Sequence, residues 1–239
     1  MPAADNEDIA SVWTRPRRQR EQLSREQIVA EAVRLLDADG LESLSMRKLG
    51  TRLDAGATSL YRHVANKDEL IELVVDEIYG ELETPEADAV DWRTPAALGA
   101  YSLRAMILRH PWVASVLGQV GLIHLGPNVA KMSQRMTAVY RAAGFPPEET
   151  DHAMNTVMSY VIGMATSEAA YLSLISRSGK SEGEFMESLR AGKAGKAGES
   201  AEGEGSRAGG DPAKTREETF DYGLRRVLDG LRVRLGEIA

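Results

Sequence analysis

The chain has 239 residues, a formal charge of −7 and no cysteine. That length accommodates one large or two modest domains, and the missing thiols exclude disulfides, thiolate zinc sites and cysteine nucleophiles and fit a reducing compartment. The acidic balance speaks against a nucleic-acid ligand only if charge is spread evenly.

It is not spread evenly. From Val12 to Arg25, five arginines (Arg15, Arg17, Arg18, Arg20 and Arg25) face Glu21 alone. From Leu44 to Lys67, Arg47, Lys48, Arg52, Arg62 and Lys67 face only Asp54. Glu81, Glu83, Glu86, Asp88 and Asp91 then make the following stretch acidic, so the pattern is a basic head on an acidic body. The opening residues show no basic start followed by an apolar run, and no segment nears the roughly 20 apolar residues that span a bilayer. The expectation is a cytoplasmic protein without a membrane partner.

In chain order, residues 1–23 read as a basic flexible arm, either a minor-groove or phosphate contact or a solvated tail. Ser24 with Gln27 forms a capping box for a first amphipathic helix carrying Ile28, Ala32, Leu35 and Leu36 inward, stopped by Gly40. Ser45 caps a short second helix with Met46, Leu49 and Leu53 on one stripe, broken at Asp54-Ala55-Gly56, where Asp54 and Gly56 both tolerate unusual backbone angles. A third helix follows over about Ala57 to Val64. Asn66 with Glu69 caps a fourth, with Leu70, Val74 and Ile78 inward, ending before Pro85.

Thr94-Pro95, Pro111, Pro127 and Pro147 each begin a further helix, the third ending at Gly144 and the fourth running to about Leu174. No segment alternates as a strand. In the long helix Met154, Val157, Met158, Val161, Ile162, Ala165, Ala169 and Leu172 make a broad apolar face, and the last helix offers Phe220, Leu224, Val227, Leu228, Leu231 and Leu235. Such faces call for a second copy of the chain or for monomer core. Between them, residues 178–218 contain AGKAGKAGESAEGEGSRAGG, whose composition predicts a flexible loop.

The fold class is therefore all-α: a three-helix helix-turn-helix head at 24–84, closed by the fourth helix, and a larger helical domain at 85–239. In such a unit the third helix enters the DNA major groove. Leu60 and Val64 are its buried side, leaving Thr58, Ser59, Tyr61, Arg62 and His63 accessible. Arg62 suits guanine and Thr58 a thymine methyl or base edge. Ser59, Tyr61 and Lys67 suit phosphates, and Arg47 either role.

Enzymatic readings find little. Gly179-Lys180-Ser181 matches the end of a phosphate loop, but Leu174 stands where the first glycine belongs. The four histidines have no HExxH spacing and no GxSxG elbow occurs. No cofactor or metal is expected. A protein-binding adaptor with the same head is the remaining alternative, separable by salt-dependent DNA binding. For a small-molecule site in the body, Leu103, Trp112, Gln119, His124, Met136, Asn155 and Met158 combine apolar surface with sparse polar groups.

GLESLSMRKLGTRLDAGATSLYRHVANKDEL, from Gly40 to Leu70, closely resembles the operator-binding head of the TetR family, unbroken through LYRHVANK at Leu60 to Lys67. The resemblance implies operator contacts at Arg47, Ala57, Thr58, Ser59, Tyr61, Arg62, His63 and Lys67. It continues more weakly through IHLG at Ile123 to Gly126 and the final FDYGLRRVLDGLRVRL. It implies a repressor that binds a palindromic operator as a homodimer through the long and last helices and is released by a small-molecule effector. Ala57 and Arg62 stand where the tetracycline-binding namesake has Gln and Trp. His124 matches a histidine of that protein's effector site, but Glu83, Gly99 and Leu103 replace its His, Asn and Phe, so neither its operator nor tetracycline carries over.

Overall fold

A computed structural model describes residues 23–83, 86–87, 91–117, 126–194 and 211–238, and every regular element among them is helical. The helices are α1 (Arg25–Asp39), α2 (Met46–Arg52), α3 (Ala57–Leu60), α4 (Lys67–Tyr79), α5 (Arg93–Arg109), α6 (Val113–Leu117), α7 (Pro127–Ala142), α8 (Pro147–Ser178), α9 (Glu182–Ala194) and α10 (Pro212–Ile238), with one 3-10 turn at Leu41–Ser43. No described helix is long and apolar enough to cross a membrane. The basic arm lies outside the described residues.

Local chemistry sets the helix starts. The Ser24 hydroxyl accepts from Gln27 N at 3.2 Å while Gln27 Oε1 accepts from Ser24 N at 2.9 Å. Ser45 and Asn66 likewise accept from Lys48 N and Glu69 N, at 3.2 and 2.8 Å. Each cap satisfies a first-turn N–H that has no partner within its own helix. Gly40, at φ +76°, ends α1.

The turn between α2 and α3 departs from expectation in one respect. Asp54 takes the left-handed conformation, φ +47°, while Gly56 stays at −68°. Gly50 matters instead: a Cβ there would lie 2.7 Å from Ala55 O and 3.1 Å from Leu60 Cδ1. The missing side chain lets α2 and α3 cross closely, with Ala55 N donating to Gly50 O at 2.8 Å. The third helix is also shorter than the sequence predicts. It is α-helical only through Leu60, after which His63 N and Val64 N both donate to Leu60 O, at 2.9 and 3.0 Å. The tightened turn still buries Leu60 and Val64.

Helices α1 to α4 pack around Ile28, Leu35, Leu36, Leu49, Leu60, Leu70 and Ile78. Behind them α8 lies against α5, α7 and α10, with Met106, Ile107, Tyr140, Val161, Phe220 and Leu224 buried between. Arg104 of α5 donates twice to Glu168 of α8, at 2.9 Å each, with its guanidinium 4.8 Å from the Phe220 ring centroid. Tyr160 of α8 donates to Phe220 O at 2.8 Å. The broad apolar faces of the long and last helices are thus largely consumed within one chain: Val157, Val161, Ala165, Ala169, Phe220, Leu224 and Leu228 are all buried. Tyr222 and Val233 of α10 and Leu174 of α8 remain 68, 62 and 50 % exposed.

The span 178–218 differs from the predicted loop. It contains α9 and the beginning of α10, leaving 195–210 outside the described residues. The Ser181 hydroxyl accepts from Glu184 N at 3.3 Å and Glu184 accepts from Ser181 N at 2.8 Å, a capping box that composition alone concealed. Tyr171 packs edge-on against Phe185, and Arg216 of α10 pairs with Glu182. These ties offset the entropy that composition alone leaves unopposed.

The close crossing at Gly50 generates a prediction. Because the obstructing atom is backbone, Gly50→Ala should destabilise the protein by about 1–3 kcal/mol through overpacking. Urea unfolding should show a lower midpoint with an unchanged slope.

Candidate nucleic-acid interface and the cavity behind it

Burial of Leu60 and Val64 turns the opposite side of α3 outward. Thr58, Tyr61 and Arg62 are exposed, and Ala57, Ser59 and His63 are half-buried. Arg47 on α2 and Lys67 at the start of α4 are exposed as well. Apart from the half-buried Ala57, all of these side chains carry a hydrogen-bond donor or a positive charge.

Pairing sorts the cations of the head. Lys48 binds Asp39 at 2.9 Å, and Arg52 binds Glu31 at 2.7 Å and approaches Asp39 at 3.8 Å. The Lys48 ammonium, aided by Arg52, holds the Asp39 carboxyl below the ordinary carboxylate range. Arg25 donates to His63 O at 3.2 Å, fixing the turn after α3 to α1. Arg47, Arg62 and Lys67 form no ion pair among the described residues. The acids of α1 therefore neutralise Arg34, Lys48 and Arg52, a carbonyl holds Arg25, and Arg47, Arg62 and Lys67 remain for an anionic partner.

The body holds a cavity between α5, α7 and α8. Its walls include Leu103, Met136 and Met158 from the sequence reading, joined by Met132, Met154 and Tyr140. Of the other candidates, Trp112 is buried against the head and Asn155 lies on the exposed side of α8. Gln119 and His124 lie outside the described residues. Sequence reasoning missed Met132 and Tyr140, although Met132, Met136 and Tyr140 stand at i, i+4 and i+8 on α7, a spacing that puts them on one face.

Besides the bond from Glu83 N to Ser102 Oγ at 2.8 Å, two polar joints tie head to body among the described residues. Asp76 of α4 accepts from Asn128 N at 3.0 Å and Val129 N at 3.1 Å, so it caps α7, whose own preceding residue, Gly126, has no side chain. Asn128 Nδ2 returns bonds to Asp76 O at 3.1 Å and Oδ2 at 3.2 Å. A Cβ on Gly126 would sit 2.7 Å from Asp76 Cβ, so the approach requires glycine there. In the second joint, Asp37 of α1 accepts from Trp112 Nε1 at 2.8 Å and lies 2.7 Å from His110 Nδ1. His110 Nε2 lies 3.2 Å from Glu81 Oε1, just past α4. Neither aspartate was singled out from sequence, because a helix carboxylate has no local mark of a distant partner. Among the described residues no cluster of three or more His, Asp or Glu side chains is arranged to hold a metal ion.

Residues 28–74 match the family model described as bacterial regulatory proteins, tetR family, and residues 84–235 match the tetracyclin repressor-like C-terminal domain. The HTH-type transcriptional repressor DrrR1 of Streptomyces coeruleorubidus is 31% identical over 221 residues, spanning 88% of this chain and 78% of that one. ActR of Streptomyces coelicolor, crystallised with actinorhodin, superposes with a TM-score of 0.69 at 26% identity, covering 92% of this chain and 100% of its own. BioQ, crystallised with its double-stranded DNA operator, gives a TM-score of 0.56 at 31% identity, covering 62% and 89%.

The second joint is testable by stability alone. Asp37→Ala leaves the Trp112 indole N–H and the His110 ring, both 5 % exposed or less, without that acceptor. A loss of about 1–3 kcal/mol in chemical denaturation is expected from the orphaned donors.

Proposed function

This chain belongs to the TetR family of DNA-binding transcriptional regulators, and on that premise we propose that it is a homodimeric repressor of a palindromic operator, released by a small-molecule effector. The head at 24–84 reads DNA, and the domain at 85–239 dimerises and takes the effector. The observation that carries this reading is the set of outward cations, Arg47, Arg62 and Lys67, left unpaired while their neighbours are neutralised from α1. The operator held by BioQ supports the DNA partner, the repressor DrrR1 the sign of regulation, and the actinorhodin held by ActR the effector.

Arg62 and Thr58 read bases, while Ser59, Tyr61 and Lys67 hold phosphates, with Ala57 and His63 lining the approach and Arg47 beside them. Two such heads meet a palindrome when their reading helices stand about 34 Å apart. The exposed Tyr222, Val233 and Leu174 support an α8 and α10 interface between two copies. The protein acts in the cytoplasm, where its operator is.

Release follows from differential affinity: an effector that binds better when the heads are misplaced lowers operator affinity by the same coupling. Helix α4 is the lever, since it begins at Lys67 beside the DNA face and carries Asp76 against α7.

Selection of bound sequences from a random DNA pool by the purified full chain, followed by salt titration of the preferred site, tests the proposal. A palindrome bound by a dimer with a steep salt slope is the expected outcome. Arg62→Ala should relax preference at one base position and cost roughly 1–3 kcal/mol, whereas Lys67→Ala should weaken all sequences alike and reduce the salt slope by about one. No enrichment by a folded dimer would overturn the proposal.

A further inference from the structure

The cavity itself specifies a chemistry. On its α5 wall Ala96, Gly99 and Ala100 are small, with Leu103 one turn further on. The facing wall carries four methionines, Met132, Met136, Met154 and Met158, from α7 and α8. Met136 lies directly over Gly99: a Cβ on that glycine would be 2.8 Å from the Met136 sulfur. The free interior is only about 30 Å³, room for no more than a few water molecules. Methionine has three rotatable side-chain bonds, so this filling can shift through rotamer changes and open a slot between the small α5 side chains and polarisable thioethers.

Tyr140 is among the lining residues. Tyr140 is fully buried, and its hydroxyl is the one buried side-chain N or O atom among the described residues without a hydrogen-bond partner. Burial pushes its ionisation far above the ordinary tyrosine value, so it serves as a neutral donor. An unpaired buried hydroxyl costs free energy comparable to a lost hydrogen bond, and an occupant that accepts from it recovers that cost. The other ionisable residue on the cavity lining is Glu83, exposed at the rim, so nothing there compensates a negative charge.

We infer that the cavity takes a flat, ring-bearing ligand, uncharged or cationic, with a carbonyl-type acceptor that receives a hydrogen bond from Tyr140. This rests on the effector site of the reading above and assigns its ligand class and its polar anchor. The methionines supply shape tolerance and favourable sulfur–ring contacts, while Tyr140 discriminates by requiring an acceptor.

Fluorenone and fluorene test this as a matched pair, being flat tricyclic molecules that differ by one carbonyl. Calorimetric titration of the full-length protein should show fluorenone binding about tenfold more tightly than fluorene, the factor for one hydrogen bond to an otherwise orphaned donor. Tyr140→Phe, checked for an unchanged helical spectrum, should bring the two affinities together by weakening only fluorenone. Equal affinities in the unaltered protein, a preference that survives Tyr140→Phe, tighter binding of the fluorene carboxylate anion, or binding of neither compound would each overturn the inference. Operator affinity measured without any probe keeps the two conclusions apart. Operator binding with no probe binding removes the ligand class and leaves the regulator, whereas probe discrimination without operator binding does the reverse.

Discussion

The carboxylate of Asp76, seated on the first turn of α7, is the contact on which the head's position depends. Gly126 gives α7 no capping side chain and Pro127 gives its first position no N–H, so the amides of Asn128 and Val129 look elsewhere for an acceptor. They find it on α4. A helix belonging to the head thereby completes a helix belonging to the body, and the positive end of the α7 dipole reinforces the attachment by up to about 2 kcal/mol in favourable geometry. The same α7 carries Met132, Met136 and Tyr140 to the cavity. In the proposed switch, a displacement of α7 by an effector is passed through Asp76 to a helix whose other end is the exposed Lys67.

Charge is partitioned on the same logic. Asp39 and Glu31, both on α1, bind Lys48 and Arg52, which flank the reading surface without lying on it. The pairs at Asp39 are solvent-exposed and contribute little stability, whereas Glu31 is buried. Their consequence here is electrostatic selection: the positive field is concentrated at Arg47, Arg62 and Lys67. The protein's net charge of −7 is therefore compatible with an anionic ligand, because the acids sit where they trim the field and not where DNA is met.

Most of the head was legible in its sequence because its information is local. Ser24, Ser45 and Asn66 act within three residues of themselves, and Leu60 and Val64 follow from period alone. What was not legible depends on pairs distant in sequence. Gly50 is required by Ala55 and Leu60 across a turn, and Asp76 by Asn128 across 52 residues. Trp112 and Asn155 were assigned to the cavity by residue type, but type does not say which side of α8 Asn155 faces or that Trp112 is buried against α1 instead. The apolar faces of α8 and α10 illustrate the converse: periodicity identified the buried residues, and tertiary packing decided that most are covered by the same chain. In the segment before α10, composition outweighed a capping box at Ser181 and Glu184 that was readable in principle.

The most direct test of the coupling is the separation of the two heads in the proposed homodimer. The chain has no cysteine, so Glu42→Cys, at an exposed position beside α1, carries a single spin label per copy. Pulsed electron paramagnetic resonance on this protein should give one narrow label-to-label distance distribution, and adding Asp76→Ala should broaden or shift it while the helical content stays the same. Superimposable distributions with and without the Asp76 carboxylate would contradict the claim that the α4–α7 cap positions the heads.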